Sequence, residues 1–289
     1  MLPSRFEYHR PATLDEALNL LATYGEDGKV LAGGQSLIPM MKLRFASPAH
    51  LIDINRVFGL DGIEERDGIL RIGALVRHNH LAASDVISAR YPTIAVAAPQ
   101  IADPLVRNLG TIGGSLSHAD PSGDLGSVML ALGASVVLKS STGERTVPID
   151  DFLVDTFQTS IAPGELLTEI RVPAPGARSG GTYLKLERKV GDYATVAAAV
   201  YLELSNGSIG AAGIGLTSVG LMNIKATAAE ASLAGATPGE AAFAEAGRLA
   251  AEASRPVSDV RGSAAYKRHM VDVYVRRGLA EAFEHAGAA

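Results

Sequence analysis

The sequence contains no cysteine and no tryptophan. Without a thiolate, the chain cannot hold a disulfide, an iron–sulfur cluster, a Cys-ligated zinc ion or a cofactor attached through a thioether. No apolar run approaches the about 20 residues that are needed to span a bilayer. The first residues contain no basic region followed by an apolar stretch, so we predict no secretory signal.

The charge balance is weakly negative, with a net charge of −5 at pH 7. This balance disfavours binding to nucleic acid or to an anionic membrane surface. Hydrophobic residues make up 47% of the 289 residues, so the chain can bury a sizeable core in one large domain or in two to three modules. We therefore expect a cytoplasmic protein, and peripheral attachment to a membrane stays open.

Residues 1–177 are predicted to form a first domain with two parts. In residues 1–55, Thr13 and Glu16 form a capping box at the start of a helix that ends near Gly25. Two short strands complete this small α/β unit, at 29–32 and 50–54. The larger part, residues 56–177, is predicted to contain strands at 69–74, 134–139, 144–147 and 166–172 and helices at 82–88 and 93–102.

A Pro- and Gly-rich linker at 173–181 is predicted to lead into a second domain, residues 178–289. Within it, Asn206 and Gly207 favour the positive backbone angles of a type I′ hairpin turn. Strands are predicted at 182–188, 197–204 and 209–219, and helices at 226–234, 240–253 and 263–285. A sheet of three strands covered by helices belongs to the α+β class.

Two segments with consecutive glycines, within residues 30–37 and 108–120, are the most informative local features. Consecutive amides free of bulky side chains form a concave set of donors that suits phosphate oxygens, and two such turns can hold a pyrophosphate. Hydroxyl groups accompany both turns, on Ser36, Thr111 and Ser115. A single Gly-Gly turn, by contrast, is more often a tight turn or a place of close backbone packing.

Neither segment matches the Rossmann motif Gly-x-Gly-x-x-Gly or the P-loop motif, so both of those nucleotide sites are disfavoured. Asp124 follows the second turn, where its carboxylate can accept hydrogen bonds from ribose or ribityl hydroxyls. Alternatively, Asp120 and Asp124 only cap a turn and a helix. His78 and His80 are the only close histidine pair, on one face of a predicted strand, and without nearby carboxylates we predict no metal there.

Several segments together resemble the flavin-binding medium subunits of molybdenum hydroxylases, the xanthine dehydrogenase family. The segments are Ala32–Ser36, Pro39–Arg44, Ala102–Pro121, Lys189–Thr195 and Ser258–Arg268. The resemblance extends over nearly the whole chain and is strongest to the carbon monoxide dehydrogenase branch. It implies a vanillyl-alcohol-oxidase-type (PCMH-type) FAD-binding fold, followed by the α+β C-terminal domain.

The resemblance also implies which residues contact FAD: Ala32, Gly33, Gly34, Gln35, Ser36, Leu37, Ile101, Thr111, Ile112, Gly113, Gly114, Ser115, Asp124, Leu167, Lys185 and Tyr193. Lys185 would place a cation near the flavin ring, and Tyr193 would cover one of its faces. Leu167 could instead be ordinary core, Lys185 a solvated strand position and Tyr193 a packing residue. We expect Arg107 to brace the second turn through carboxylates such as Asp103.

The activity that the resemblance implies is electron transfer through FAD. Partners would be a large subunit with the molybdenum cofactor and a small subunit with two [2Fe–2S] clusters, in a dimer of heterotrimers. The lack of cysteine here agrees with that division, because the clusters need thiolates. Electrons would pass from a cluster to FAD and then to an external acceptor such as a quinone. We name no catalytic residue and no metal ligand in this chain.

Two other hypotheses stay open at this point. The chain could be a stand-alone FAD-dependent oxidase or dehydrogenase with its own small substrate. It could also be a non-enzymatic assembly subunit that has lost the flavin, although the intact glycines of both turns argue against that. For the complex, the resemblance favours carbon monoxide as substrate, with aromatic N-heterocycles and aldehydes as alternatives.

Overall fold

The computed structural model describes residues 2–288, and the chain begins with a small α/β unit. Its elements are β1 (Glu7–His9), α1 (Leu14–Tyr24), β2 (Gly28–Leu31), α2 (Leu37–Lys42) and β3 (His50–Asp53). The strands form a parallel sheet in the order β1-β3-β2. Thr13 and Glu16 form the predicted capping box, and the helix ends at Gly25, as expected.

The second part of the first domain is built on a five-stranded antiparallel sheet in the order β4-β5-β10-β6-β7. Its strands are β4 (Ile63–Arg66), β5 (Ile69–Gly73), β6 (Ser135–Ser140), β7 (Gly143–Pro148) and β10 (Leu166–Pro173). Its helices are α3 (His78–Ala82), α4 (Asp85–Arg90), α5 (Pro92–Ala97), α6 (Pro104–Leu109), α7 (Ile112–His118), α8 (Asp124–Ala131) and α9 (Ile149–Phe152). A small two-stranded sheet is formed by β8 (Leu153–Asp155) and β9 (Gln158–Thr159).

The helices between β5 and β6 differ from the sequence prediction. Helices α4 and α5 overlap the two that were expected at 82–88 and 93–102, and α3 is an additional helix that was not predicted. Ser84 begins α4 by accepting a hydrogen bond from the backbone N–H of Ile87, at 3.4 Å. Pro92 occupies the first position of α5, where its missing N–H costs nothing. These start signals set where α4 and α5 begin.

The C-terminal domain contains an antiparallel sheet in the order β11-β12-β13-β14, covered by three helices. Its elements are β11 (Ser179–Leu186), β12 (Val196–Ser205), β13 (Ser208–Thr217), β14 (Ile224–Lys225), α10 (Thr227–Leu233), α11 (Glu240–Ala253) and α12 (Ala264–Ala288). Asn206 and Gly207 both have positive φ, at 51° and 82°, as the type I′ turn requires. The predicted count of three strands is wrong, because the two-residue strand β14 is too short to leave a pattern.

Helix α8 of the first domain packs against the C-terminal domain, and every one of its residues is buried. Strand β13 lies directly against it, because a Cβ at Gly215 would overlap the Ser127 carbonyl group and one at Gly213 would overlap that of Ala131. The Thr217 hydroxyl donates a hydrogen bond of 2.6 Å to the hydroxyl of Ser127. Across residues 2–288, no helix is both long enough and apolar enough to cross a membrane.

This close approach predicts that Gly215→Ala destabilises the protein. The new Cβ would lie 2.7 Å from the carbonyl carbon of Ser127, in backbone that cannot move aside cheaply. We expect a loss of about 1–3 kcal/mol in the free energy of unfolding, measured by urea denaturation. Gly62→Ala is the matched control, because nothing lies within 4 Å of its Cβ position. An equal, small effect of both substitutions would contradict the packing described.

Candidate functional site

The first glycine-rich loop connects β2 to α2 and presents free backbone donors. The N–H groups of Gly33, Gly34, Gln35 and Ser36 have no hydrogen-bond partner in the part of the chain that the structure describes. Gly34 adopts a left-handed conformation, with φ of 71°, which turns the chain toward α2. Consecutive unpaired amides of this kind form an anion-binding concavity.

The second glycine-rich segment differs from the sequence prediction. It is not a turn with free amides but the first turn of α7, with Thr111 as its N-cap. The amides are already bonded: Ile112 to Val76 O and Gly113 to Ala74 O, both at 3.0 Å, and Gly114 to Thr111 Oγ1 at 3.1 Å. The prediction of free amides here is wrong, because the N-cap Thr111 and the turn that follows β5 accept their hydrogen bonds. Donors toward a ligand would come instead from hydroxyl groups such as that of Ser115.

The two segments pack against each other through their glycines. A Cβ at Gly33 would overlap the Leu109 carbonyl oxygen and would lie 2.8 Å from the Cα of Gly110. A Cβ at Gly113 would lie 2.6 Å from that of Ala74. Gly33 is therefore required by the contact between the two segments, and Gly113 by the contact of the second segment with Ala74.

Two residues that the sequence analysis missed connect the loops. Asn55 donates to the carbonyl oxygen of Ala32, at 2.8 Å, in the first loop. Arg77 donates to Asn55 Oδ1, at 2.6 Å, and to the carbonyl oxygen of Leu109, next to the second segment. A signal for Asn55 was available, because it follows a strand parallel to β2, and parallel strands end at the same edge of a sheet. Arg77 left no comparable pattern.

A buried polar cluster lies where the two domains meet. Lys185 on β11 contacts Asp124, the first residue of α8, with its Nζ 3.1 Å from Oδ1 and 3.2 Å from Oδ2. The Tyr183 hydroxyl donates to Asp124 Oδ1 at 2.6 Å. The cluster also includes Glu187, whose Oε2 is 3.6 Å from the ammonium, and the Gln100 carbonyl, which accepts from it at 3.0 Å.

Burial governs the ionisation in this cluster. It raises the pKa of Asp124, while the Lys185 ammonium and the Tyr183 hydroxyl act in the opposite direction. Burial also raises the pKa of Tyr183 well above its ordinary value, and the nearby Asp124 adds to this, so the phenol remains a proton donor. The Lys185 side chain is only 1% exposed, which excludes the solvated strand position that the sequence left open. Asp124 does not act as a helix cap through its side chain.

Ile101 and Leu167, the two apolar positions, lie in or against the main core. Leu167 is 3% exposed and sits on β10 beside a register shift, and Ile101 is partly buried against the same core. Neither position contradicts a cofactor contact and neither demonstrates one, so both contacts stay predictions.

Tyr193 lies on the loop between β11 and β12, and its side chain is 54% exposed. Arg261 fixes the backbone beneath it, donating to the Tyr193 carbonyl oxygen and to Asp192 Oδ1, both at 2.9 Å. The Arg261 guanidinium also holds the pKa of Asp192 well below its usual range. The ring of Tyr193 is thus exposed on a backbone that is held in place.

Arg107 braces the neighbouring loop, but not through a carboxylate. Its Nη1 donates to the carbonyl oxygens of Ile101 and Ala102, at 2.9 and 3.0 Å. Asp103, the expected partner, instead accepts from the backbone N–H of Val106, at 2.9 Å, as the N-cap of α6. The bracing role was predicted, and the predicted partner is wrong.

His78 and His80 lie in helix α3 and not on a strand, so they do not share a face. His78 is buried beside Gly110, whose carbonyl oxygen accepts from its backbone N–H at 3.0 Å, whereas His80 is exposed. Burial, with help from Arg107 and Arg77, lowers the pKa of His78 to about 4. This histidine is therefore neutral at pH 7.

Two family models match the chain. Residues 4–175 match the FAD binding domain in molybdopterin dehydrogenase, and residues 181–282 match the CO dehydrogenase flavoprotein C-terminal domain. The chain is 43% identical to the carbon monoxide dehydrogenase medium chain of Hydrogenophaga pseudoflava, over 96% of this chain and 97% of that protein. It is 41% identical to the 6-hydroxypseudooxynicotine dehydrogenase complex subunit alpha of Paenarthrobacter nicotinovorans, over 99% of this chain and 97% of that protein.

The fold agrees with a solved structure over its whole length. A chain of carbon monoxide dehydrogenase from Hydrogenophaga pseudoflava, in a form lacking the Mo-pyranopterin moiety of the molybdenum cofactor, superposes with a TM-score of 0.96. It is 46% identical in sequence, and the match covers 99% of each chain.

The burial of His78 predicts a pH dependence of stability. Between pH 4 and the ordinary pKa of 6.5, the unfolded chain binds a proton at His78 and the folded chain does not, so stability falls as pH drops through this window. From pH 7 to pH 4, the unfolding free energy of the parent should fall by roughly 3 kcal/mol more than that of His78→Gln. His80→Gln changes an exposed side chain, so its unfolding free energy should fall as much as that of the parent. Identical pH profiles for the His78→Gln variant and the parent would contradict this assignment.

Proposed function

The chain belongs to the family of FAD-binding subunits of molybdopterin dehydrogenases, and we propose that it is the electron-transfer subunit of a molybdenum hydroxylase of the carbon monoxide dehydrogenase type. In this role it accepts electrons from [2Fe–2S] clusters of a small partner subunit and passes them to an external acceptor such as a quinone. A large partner subunit holds the molybdenum cofactor. The proposal rests first on the family and then on the chemistry of the site.

The observation that carries the proposal is the set of four backbone amides, from Gly33 to Ser36, that have no hydrogen-bond partner within residues 2–288. These donors suit the pyrophosphate of FAD, and the adjacent Ser115 hydroxyl can supply a further hydrogen bond. Asn55 and Arg77 keep the two segments at a fixed separation, so the donors are preorganised. When bound, FAD supplies the redox chemistry, since it accepts single electrons and hands on pairs.

The buried cluster suits the remaining part of the cofactor. Asp124 has acceptor capacity beyond the bonds from Tyr183 and Lys185, so it can take a hydroxyl hydrogen bond. The Lys185 ammonium, buried and held by Asp124, provides a fixed positive charge that favours an anionic neighbour. Ile101 and Leu167 would contribute apolar surface, and Tyr193 would cover the exposed side of the flavin.

Carbon monoxide is the substrate we propose for the complex, because the relatives that act on it are as similar as any reported above and match the whole chain. An aromatic N-heterocycle or an aldehyde is the alternative class, favoured by the 41% identity to a 6-hydroxypseudooxynicotine dehydrogenase subunit. The substrate would bind in another subunit, so this chain's residues select the acceptor and not the substrate. We further propose a domain boundary at 177/178 and a dimer of heterotrimers.

A charge substitution in the first loop tests the FAD site. Ser36→Asp would place a carboxylate among the free amides, where it would compete with and repel the pyrophosphate, whereas Ser36→Asn has the same shape without the charge. We expect the FAD content of the purified complex with both partner subunits to fall about tenfold or more in Ser36→Asp only. Flavin released by denaturation is quantified by absorbance.

The FAD content of these preparations and the activity of the chain without its partners separate the alternatives. Equal FAD content in the two variants and the parent would overturn the loop as the pyrophosphate site. Complexes without any flavin would support an assembly subunit, and turnover of a small substrate by this chain alone would support a stand-alone enzyme. Carbon monoxide oxidation by the parent complex checks the substrate.

Tyr193→Ala tests whether this ring controls access to the flavin. Because its backbone is held by Arg261, loss of the ring should leave the loop and the FAD content unchanged. We expect flavin reoxidation by an external acceptor, followed by stopped-flow absorbance, to change in rate more than the FAD content does. Phe58→Ala removes another exposed aromatic ring and should change neither quantity. Unchanged reoxidation in the Tyr193 variant would remove its proposed role.

A further inference from the structure

The small parallel sheet brings together two histidines and a glutamate that the function above does not use. Glu7 on β1 pairs in register with His50 on β3, and His9 lies two residues beyond Glu7. Residues opposite each other across two strands, and alternate residues along one strand, point to the same face of a sheet. Glu7, His9 and His50 therefore share a face.

The ligand atoms of these residues are close enough to share one metal ion. His9 Nε2 lies 3.0 Å from His50 Nδ1, and Glu7 Oε2 lies 3.5 Å from His50 Nδ1 and 4.0 Å from His9 Nε2. Bond lengths of about 2.0–2.2 Å around a tetrahedral zinc ion place neighbouring ligand atoms roughly 3.3–3.5 Å apart. The observed separations bracket that value, so small side-chain adjustments suffice to form the site.

The two imidazoles are held in place before any ion binds. The His50 ring stacks on Tyr24, at the end of α1, with ring centroids 3.7 Å apart and planes 13° apart. Tyr24 also contacts the His9 ring, at 4.8 Å. Both imidazole side chains are about four-fifths buried, at 20% and 19% exposure, while Glu7 is 73% exposed. Two nitrogens that are held in place and one exposed carboxylate leave a fourth position open to water.

We propose that Glu7, His9 and His50 bind a divalent zinc ion at the N-terminal edge of the first domain. Two neutral imidazoles and one carboxylate favour Zn²⁺ over Mg²⁺ or Ca²⁺, which take oxygen ligands. The hydrogen bond between the two rings is exchanged for two bonds to the ion, because the donating ring moves its proton to its other nitrogen. The ion would tie β1 to β3 and thus stabilise the sheet that carries the first loop.

Zinc binding by the untagged full chain, after treatment with a chelator, tests the site directly. Competition with a chromogenic zinc indicator should show one saturable site per chain. His9→Gln, His50→Gln and Glu7→Gln should each lower its affinity by more than about tenfold, since loss of even an outer partner can cost that much. Exposed Glu7 makes Glu7→Gln informative even where a histidine variant folds poorly.

Two histidines outside the cluster provide matched controls. His80→Gln and His269→Gln change exposed side chains and should leave the affinity unchanged. Substitution with Co²⁺ should give the intense visible absorption of tetrahedral coordination in the parent and not in His9→Gln. Zinc affinity that is undiminished in the three cluster variants, or no saturable binding by the parent, would overturn the proposal.

Discussion

The burial of one ion pair, between Lys185 and Asp124, constrains the whole arrangement of this chain. A buried pair of this kind adds little net stability, but loss of either partner costs about 3–5 kcal/mol, because the other charge is left without compensation. Lys185 belongs to the C-terminal sheet and Asp124 to a helix of the first domain. Each domain thus contributes one charge of a buried pair that crosses the boundary between them, which restricts how the domains dock. The glycines of β13 allow the close approach that this docking requires.

The two glycine-rich segments of the candidate site have different roles. The first provides free amides, and the second provides a rigid support whose own amides are occupied. Asn55 and Arg77 couple them, so the separation between donor loop and support is set by hydrogen bonds and not by the cofactor. Preorganisation of this type lowers the entropic cost of binding, because little of the protein must be ordered when the ligand arrives.

Much of the fold was predictable, because it depends on local patterns. The capping box at Thr13 and the Asn206-Gly207 turn act within a few residues, and both were confirmed. The prediction of free amides in the second segment was wrong, because two of them donate to Val76 and Ala74, which are distant in sequence. The partners of Arg107 were missed for a similar reason. They are backbone carbonyl oxygens, which every residue has, so the sequence does not indicate which of them accept the hydrogen bonds. For the candidate site, the resemblance proposed residues whose contacts with FAD stay predictions, and it could not show the hydrogen bonds that hold them.

The anchoring of the Tyr193 backbone has a consequence for the time scale of any gating. Because Arg261 restrains the carbonyl of Tyr193 itself, the ring can swing only by changing its side-chain rotamer, without a loop rearrangement. Rotamer changes of exposed side chains take picoseconds to nanoseconds, whereas loop and lid motions extend into microseconds and beyond. Enzymes turn over at roughly 1–1,000 s⁻¹. A gate of this design would open and close many times within each catalytic cycle. Its opening would therefore not be the slow step of turnover, and it would act through the fraction of time for which the flavin is accessible to an acceptor.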